Sequence, residues 1–140
     1  MALLQVEHLK KISTTRFGAV QVQALQDVNF SVEEGEYVAV MGESGSGKST
    51  LLNILAALDK PTSGRVLLEG SDMAAIPDGR LSAYRRENLG FVFQDFNLLD
   101  TFTLRDNIFL PLVLARHDPD EMEKRLAPIA KQLGIETLLN

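Results

Sequence analysis

The 140-residue chain contains no cysteine, which excludes disulfides, thiolate metal sites and dithiol redox chemistry, and suits a reducing compartment. It also lacks a long apolar run. The two longest, residues 51–58 (interrupted by Asn53) and 108–115, fall far short of the roughly 20 residues that span a bilayer. The start, Met1-Ala2-Leu3-Leu4, has no basic segment and reaches Glu7 too soon for a secretory signal. Positive charge is in the minority: a net charge of −5 argues against a nucleic-acid partner held by phosphate neutralisation. A local site for a nucleotide remains compatible with it. There is no low-complexity tract and no internal repeat. With 45% hydrophobic and 24% charged residues, the composition is that of a globular domain able to bury roughly two thirds of its unfolded-chain surface. These absences together place the chain in the cytoplasm.

What is present is concentrated in one stretch. Residues 42–50 read Gly42-Glu43-Ser44-Gly45-Ser46-Gly47-Lys48-Ser49-Thr50, directly behind the apolar run Tyr37-Val38-Ala39-Val40-Met41. This is the pattern G-x-x-x-x-G-K-[ST] in a strand-to-helix context, the signature of a phosphate-binding loop. The chemistry explains the residue types. Three glycines let the backbone curl so that successive N–H groups from Ser44 to Thr50 point inward around an anion. Lys48 adds a full charge where terminal phosphates lie, and the Ser49 hydroxyl is placed to coordinate Mg²⁺. The helix expected over residues 48–58 contributes the partial positive charge of its N-terminus. The bland alternative is a Gly/Ser-rich turn, which demands neither the Lys-Ser pair nor the second glycine.

The rest of the chain is β-rich first and helical later. Alternating apolar residues predict half-buried strands over residues 4–9 and 20–32. The continuous run 37–41 has the composition of a parallel strand buried on both faces, as does 89–93. A short strand is expected at 65–69 and a helix at 78–87. Thr103 with Asp106 resembles a capping box opening a helix through Leu114, which Pro111 should kink or split. Asp118-Pro119-Asp120-Glu121 starts another helix, with Met122, Leu126, Ile129, Ala130 and Leu133 on one face, Gly134 closing it and Pro128 bending it near Lys124. His8 and His117 read as surface residues without an acid–base companion at helical spacing. Arg85-Arg86 reads as a solvated helix face, or as a contact for phosphate or a partner.

The motifs then carry a family resemblance across essentially all of the chain. Besides the phosphate loop they are Ala24-Leu25-Gln26-Asp27-Val28-Asn29-Phe30, the pair Gly35-Glu36, Leu58-Asp59-Lys60-Pro61-Thr62-Ser63-Gly64, and Leu89-Gly90-Phe91-Val92-Phe93-Gln94-Asp95-Phe96-Asn97-Leu98-Leu99. The chain resembles the N-terminal part of an ATP-binding cassette (ABC) transporter nucleotide-binding subunit, of the bacterial macrolide-efflux, lipoprotein-release and bacitracin-resistance exporter type. The wording Gln-Asp-Phe-Asn-Leu-Leu-Asp leans towards antimicrobial-peptide resistance or peptide transport.

The resemblance implies an α/β P-loop NTPase fold of the ABC type. Its parts would be an N-terminal antiparallel β region, a partial parallel core sheet and the start of a helical subdomain. Residues 1–97 would form the nucleotide-binding core and 98–140 the beginning of that subdomain. ATP and Mg²⁺ are the implied ligands. Gly42, Ser44, Gly45, Ser46, Gly47, Lys48, Ser49 and Thr50 fall to the phosphates, Lys48 to the β and γ groups and Ser49 to Mg²⁺. Gln94 falls to a contact with Mg²⁺ or the attacking water, which responds to γ-phosphate and reaches the membrane partner. Phe17 is the candidate for stacking on adenine; a gap-free alignment instead puts Ser13 or Thr15 where other members carry tyrosine, and packing at a turn is the alternative role for Phe17.

The implied partners are a membrane permease and a second nucleotide-binding subunit, with the protein peripheral on the inner face of the cell membrane. The family's Asp-Glu strand with its general base, its signature segment and its switch histidine have no counterpart among the 140 residues. The expectation is therefore a truncated cassette that binds nucleotide with little or no hydrolysis. The run 37–41 should lack a sheet neighbour, leaving marginal stability or association. The alternative function is a non-catalytic nucleotide-binding or partner-docking module. A small P-loop kinase is disfavoured, since no acceptor-site acid or Arg-rich lid follows the loop.

Overall fold

Alternation of apolar residues does produce the two long N-terminal strands. The computed structural model describes residues 2–14 and 21–140, so Phe17 and Val20 lie outside the described residues. The first strand, β1 (Leu4–Thr14), pairs antiparallel with β2 (Gln21–Val32) on one side and β3 (Ser63–Leu68) on the other. A two-residue strand, β4 (Ser71–Asp72), completes the order β2-β1-β3-β4. β3 and β4 form a hairpin around Glu69 and Gly70, both at positive φ (49° and 76°), the backbone that a two-residue turn needs to match strand twist.

Between β2 and β3 lies helix α1 (Lys48–Leu55), which buries Leu51 and Ile54. Those two side chains join Val6, Leu9, Leu25, Val66 and Met73 in one apolar cluster, with Leu9 fully enclosed. The helix is three residues shorter than its composition predicts, because Ala57 turns left-handed (φ 54°) and Leu58 N–H reaches back to Asn53 O at 2.9 Å. A short 3₁₀ turn at Asp78–Arg80 then leads into α2 (Leu81–Asn88).

The fold is α/β, but its sheet is antiparallel. Neither 37–41 nor 89–93 is a strand. A buried parallel strand requires ladder partners for its N–H and C=O groups, and none of β1 to β4 takes either segment as a neighbour. Tyr37 is 98% and Met41 88% exposed, while Phe91 and Phe93 stack on each other with centroids 5.7 Å apart. The partial parallel sheet expected from the sequence is thus not formed among the described residues.

The chain divides into two compact units, Met1–Leu89 and Gly90–Asn140. The second contains α3 (Leu104–Leu114) and α4 (Pro119–Leu133). Thr103 and Asp106 form the reciprocal capping box, and Asp118 caps α4 through Asp120 N–H at 2.9 Å. Pro111 and Pro128 both lie inside continuous helices, so Pro111 does not split α3. The α4 face buries Met122, Leu126 and Ala130, whereas Ile129 and Leu133 stay exposed. Gly134 ends that helix in the left-handed conformation. Leu104, Ile108, Phe109 and Ile135 close over Leu126, Ala130 and Leu139.

Candidate functional site

The loop of residues 42–50 hangs between the exposed segment 37–41 and the first turn of α1. Its conformation follows from its glycines: Gly45 and Gly47 adopt φ of 81° and 94°, values that L side chains resist. Gly47 is also the N-cap of α1, and no side chain caps the helix. The N–H groups of Lys48, Ser49 and Thr50, at the first three helical positions, consequently have neither an intrahelical acceptor nor a side-chain cap. This is the donor set that an anion completes, reinforced by the helix dipole.

Lys48 bends back over the loop. Its ammonium donates to Gly42 O at 2.7 Å, to Glu43 O at 2.6 Å and to Ser46 Oγ at 3.3 Å, so the structure brings Gly42, Glu43, Ser46 and Lys48 around one charge. Ser46 N–H closes the turn onto Glu43 O at 3.2 Å. A Cβ at Gly42 would lie 2.6 Å from Ser46 Oγ, which shows how tightly the loop is wound. Ser44 and Ser49 are exposed, and the Ser49 hydroxyl has no partner among the described residues. The residues therefore fit a bound phosphate chain and its cation: open amides, one ammonium gathered over the loop and a free hydroxyl. The loop is a surface cradle and lines neither of two cavities in this unit.

Gly47 has a second constraint that the motif alone does not reveal. A Cβ there would come closer than 3.0 Å to the backbone oxygen of Ala24 and 3.0 Å from Leu25 Cδ2. β2 is thus the seat of the loop, and the only sequence trace of it is the stretch Ala24–Phe30. Gln94 lies in the second unit, at an exposed bend.

Two further readings change. Arg85 is not simply a solvated face: its Nη1 donates to Ala57 O at 2.9 Å, tying α2 to the left-handed turn just past α1. His117 does have a companion at helical spacing, Glu121, whose carboxylate lies 3.1 Å from Nδ1. That contact, with Arg125 also bonded to Glu121, holds the Glu121 carboxyl below its ordinary range. His8 is exposed and paired with Asp27 at 2.8 Å. No described group of three or more His, Asp or Glu residues could hold a metal by itself.

The profile of the family described as ABC transporter matches residues 25–140, most of the chain. This chain belongs to the ABC transporter family. Among curated ABC relatives, the ABC transporter ATP-binding protein YxdL of Bacillus subtilis is 52% identical over 138 residues, covering 99% of this chain and 52% of the relative. The bacitracin export ATP-binding protein BceA of Halalkalibacterium halodurans is 39% identical, covering 96% of this chain and 53% of its own length. Among solved structures, a dimeric post-hydrolysis state of the ATP-binding cassette MJ0796 bound to ADP and Pi superposes with a TM-score of 0.86 at 37% identity. It covers 98% of this chain and 60% of that one. The chain spans about half the length of the curated relatives it matches.

Proposed function

We propose that this chain supplies the nucleotide cradle of the ATP-binding subunit of a bacterial ABC transporter. The observation that carries the reading is the loop 42–50, with uncapped amides at the start of α1 and the Lys48 ammonium gathered over it. Lys48 would exchange loop carbonyls for β- and γ-phosphate oxygens of ATP. The Ser49 hydroxyl would hold Mg²⁺, whose charge would offset that of the phosphates. Phe17 would stack on adenine, and Gln94 would sense the γ-phosphate side. In this reading 1–97 is the nucleotide core and 98–140 the beginning of a helical subdomain.

The relatives extend the reading to partners. BceA is named for bacitracin export, which supports a role in export or resistance to antimicrobial peptides. The partners would be a membrane permease and a second nucleotide-binding subunit, with the protein held on the cytoplasmic face of the membrane. No described helix is long and apolar enough to cross a membrane. The chain by itself binds ATP and hydrolyses it weakly or not at all, because no Asp-Glu strand is among its residues.

The test is titration of labelled ATP with and without Mg²⁺, alongside a phosphate-release assay. Binding that falls at least tenfold in Lys48→Ala, without turnover above background, is expected. No ATP binding by the unmodified chain would remove the reading; hydrolysis that disappears in Lys48→Ala would overturn only the claim of weak turnover. Binding of a permease peptide without nucleotide would favour the alternative, a partner-docking module.

A further inference from the structure

The pairing of β1 with β2 breaks step three times beside the seat of the phosphate loop. Leu4, Gln5 and Val6 face Val32, Ser31 and Phe30, but pairing resumes only at Leu9 with Val28, so two residues of β1, Glu7 and His8, oppose Asn29 alone. Next, Lys11 faces Leu25, leaving Gln26 and Asp27 of β2 opposite Lys10. Ile12 then faces Gln23, so Ala24 is the surplus residue of the third step. Each surplus residue reverses the face taken by the side chains beyond it. Val6 and Leu9, three residues apart, can therefore both be buried, and Leu25 and Val28 can both turn to the same cluster.

The residues at the first two steps are tied together. His8 and Asp27 are both left-handed, with φ of 48° and 51°, a conformation in which L-residues need local support. His8 N–H donates to Asn29 Oδ1 at 2.7 Å, Asn29 Nδ2 donates to Asp27 O at 2.9 Å, and His8 Nδ1 meets Asp27 Oδ1 at 2.8 Å. The His8 and Asp27 side chains stand 78% and 56% exposed, so they fill no core and their pairing contributes little to global stability. Its consequence is geometric. The first two steps, one surplus residue in each strand, cancel in register, so Lys11 faces Leu25 as Leu4 faces Val32; what the surplus in β2 changes is the face, turning Leu25 with Val28 to the cluster and against Gly47.

We propose that His8, Asp27 and Asn29 form a bulge lock that fixes which face β2 turns to the core and so positions the phosphate loop, acting through Ala24 and Leu25 on Gly47. They are positioning residues and touch no ligand. The lock is defined on the nucleotide-free chain; its effect on ATP rests on the proposed function above.

The experiment measures amide hydrogen exchange in the full chain without nucleotide. Asp27→Gly permits the left-handed backbone but deletes the link to His8, while Asp27→Asn keeps both. Exchange at Leu51, whose N–H donates to Gly47 O at 2.9 Å, should be at least fivefold faster in Asp27→Gly and within twofold of the unmodified chain in Asp27→Asn, with the β3 amides of Val66 and Leu67 unchanged. Asn29→Ser, which shortens the bridge and leaves Asp27 intact, should repeat the selective acceleration and serves if Asp27→Gly does not fold. Unchanged Leu51 exchange, equal acceleration in β3, or failure of Asp27→Asn to restore Leu51 would each overturn the lock. ATP affinity is read in parallel and should weaken by a similar factor. If the unmodified chain binds no ATP while exchange behaves as expected, the lock stands and the nucleotide reading falls. If ATP binds and Leu51 exchange ignores Asp27→Gly, the lock falls alone.

Discussion

Replacing Gly47 and Gly45 separately by alanine distinguishes two reasons for a glycine in the same loop. Both positions have positive φ, 94° and 81°, so either alanine carries about 1–2 kcal/mol of left-handed strain. Around Gly45 there is nothing within 4 Å of a new methyl, and that strain is the whole cost. At Gly47 the methyl would run into Ala24 O closer than 3.0 Å and into Leu25 Cδ2 at 3.0 Å. The first obstacle is the main chain of β2 rather than the end of a flexible side chain, so relieving it means moving the strand, and overpacking adds about 1–3 kcal/mol. The expected destabilisation is about 1–2 kcal/mol for Gly45→Ala and about 2–5 kcal/mol for Gly47→Ala. In a unit of this size each kcal/mol moves the melting temperature by roughly 4–8 °C, so Gly47→Ala should melt about 10 °C below Gly45→Ala. Scanning calorimetry on both variants measures it. Equal shifts would refute the reasoning, since they would mean that the loop does not rest on β2.

The Tyr84 hydroxyl is buried without a hydrogen-bond partner among the described residues, so Tyr84→Phe should be neutral or stabilising by about 1 kcal/mol in urea melts. Burial also raises the Tyr84 phenol above its usual 10.0; the unfolded chain ionises first, stability falls as pH rises past that value, and Tyr84→Phe should flatten this loss. Lys11 donates to Asp59 at 2.7 Å and holds its carboxyl below the usual 3.8. Between the depressed value and 3.8 the unfolded state binds more protons, so this part of the stability is present above pH 3.8 and lost as pH falls. Lys11→Met should lessen that slope in an acid titration of unfolding, the Lys60 N–H bond to Asp59 Oδ1 at 2.8 Å remaining; an unchanged slope below pH 4 would contradict it. Each pair of assays uses the same chain at matched concentration, so association does not enter the comparison.

Local signals were legible where local chemistry decides structure. Thr103 with Asp106 and Asp118 with Pro119 start the helices they predict, because caps act within a single turn. The phosphate loop is likewise a short-range device, and its glycines take left-handed backbone where the motif requires it. Periodicity failed at 37–41 and 89–93 because a buried strand depends on partners that composition cannot supply. It also overstated the apolar face of α4, where Ile129 and Leu133 find no cover. Arg85 could not be placed from spacing, since Ala57, whose carbonyl it bonds, is 28 residues away.

The sequence alone thus pointed to a phosphate loop, because amide count, glycine freedom and one lysine are written within nine residues, and to ABC cassettes through the further stretches 24–30, 58–64 and 89–99. Only the tertiary structure decided what that loop leans on. Ala24, Leu25 and the paired bulges at His8 and Asp27 lie about 20 to 40 residues before Gly47, and strand pairing with its bulges, a long-range property, brings them beneath it.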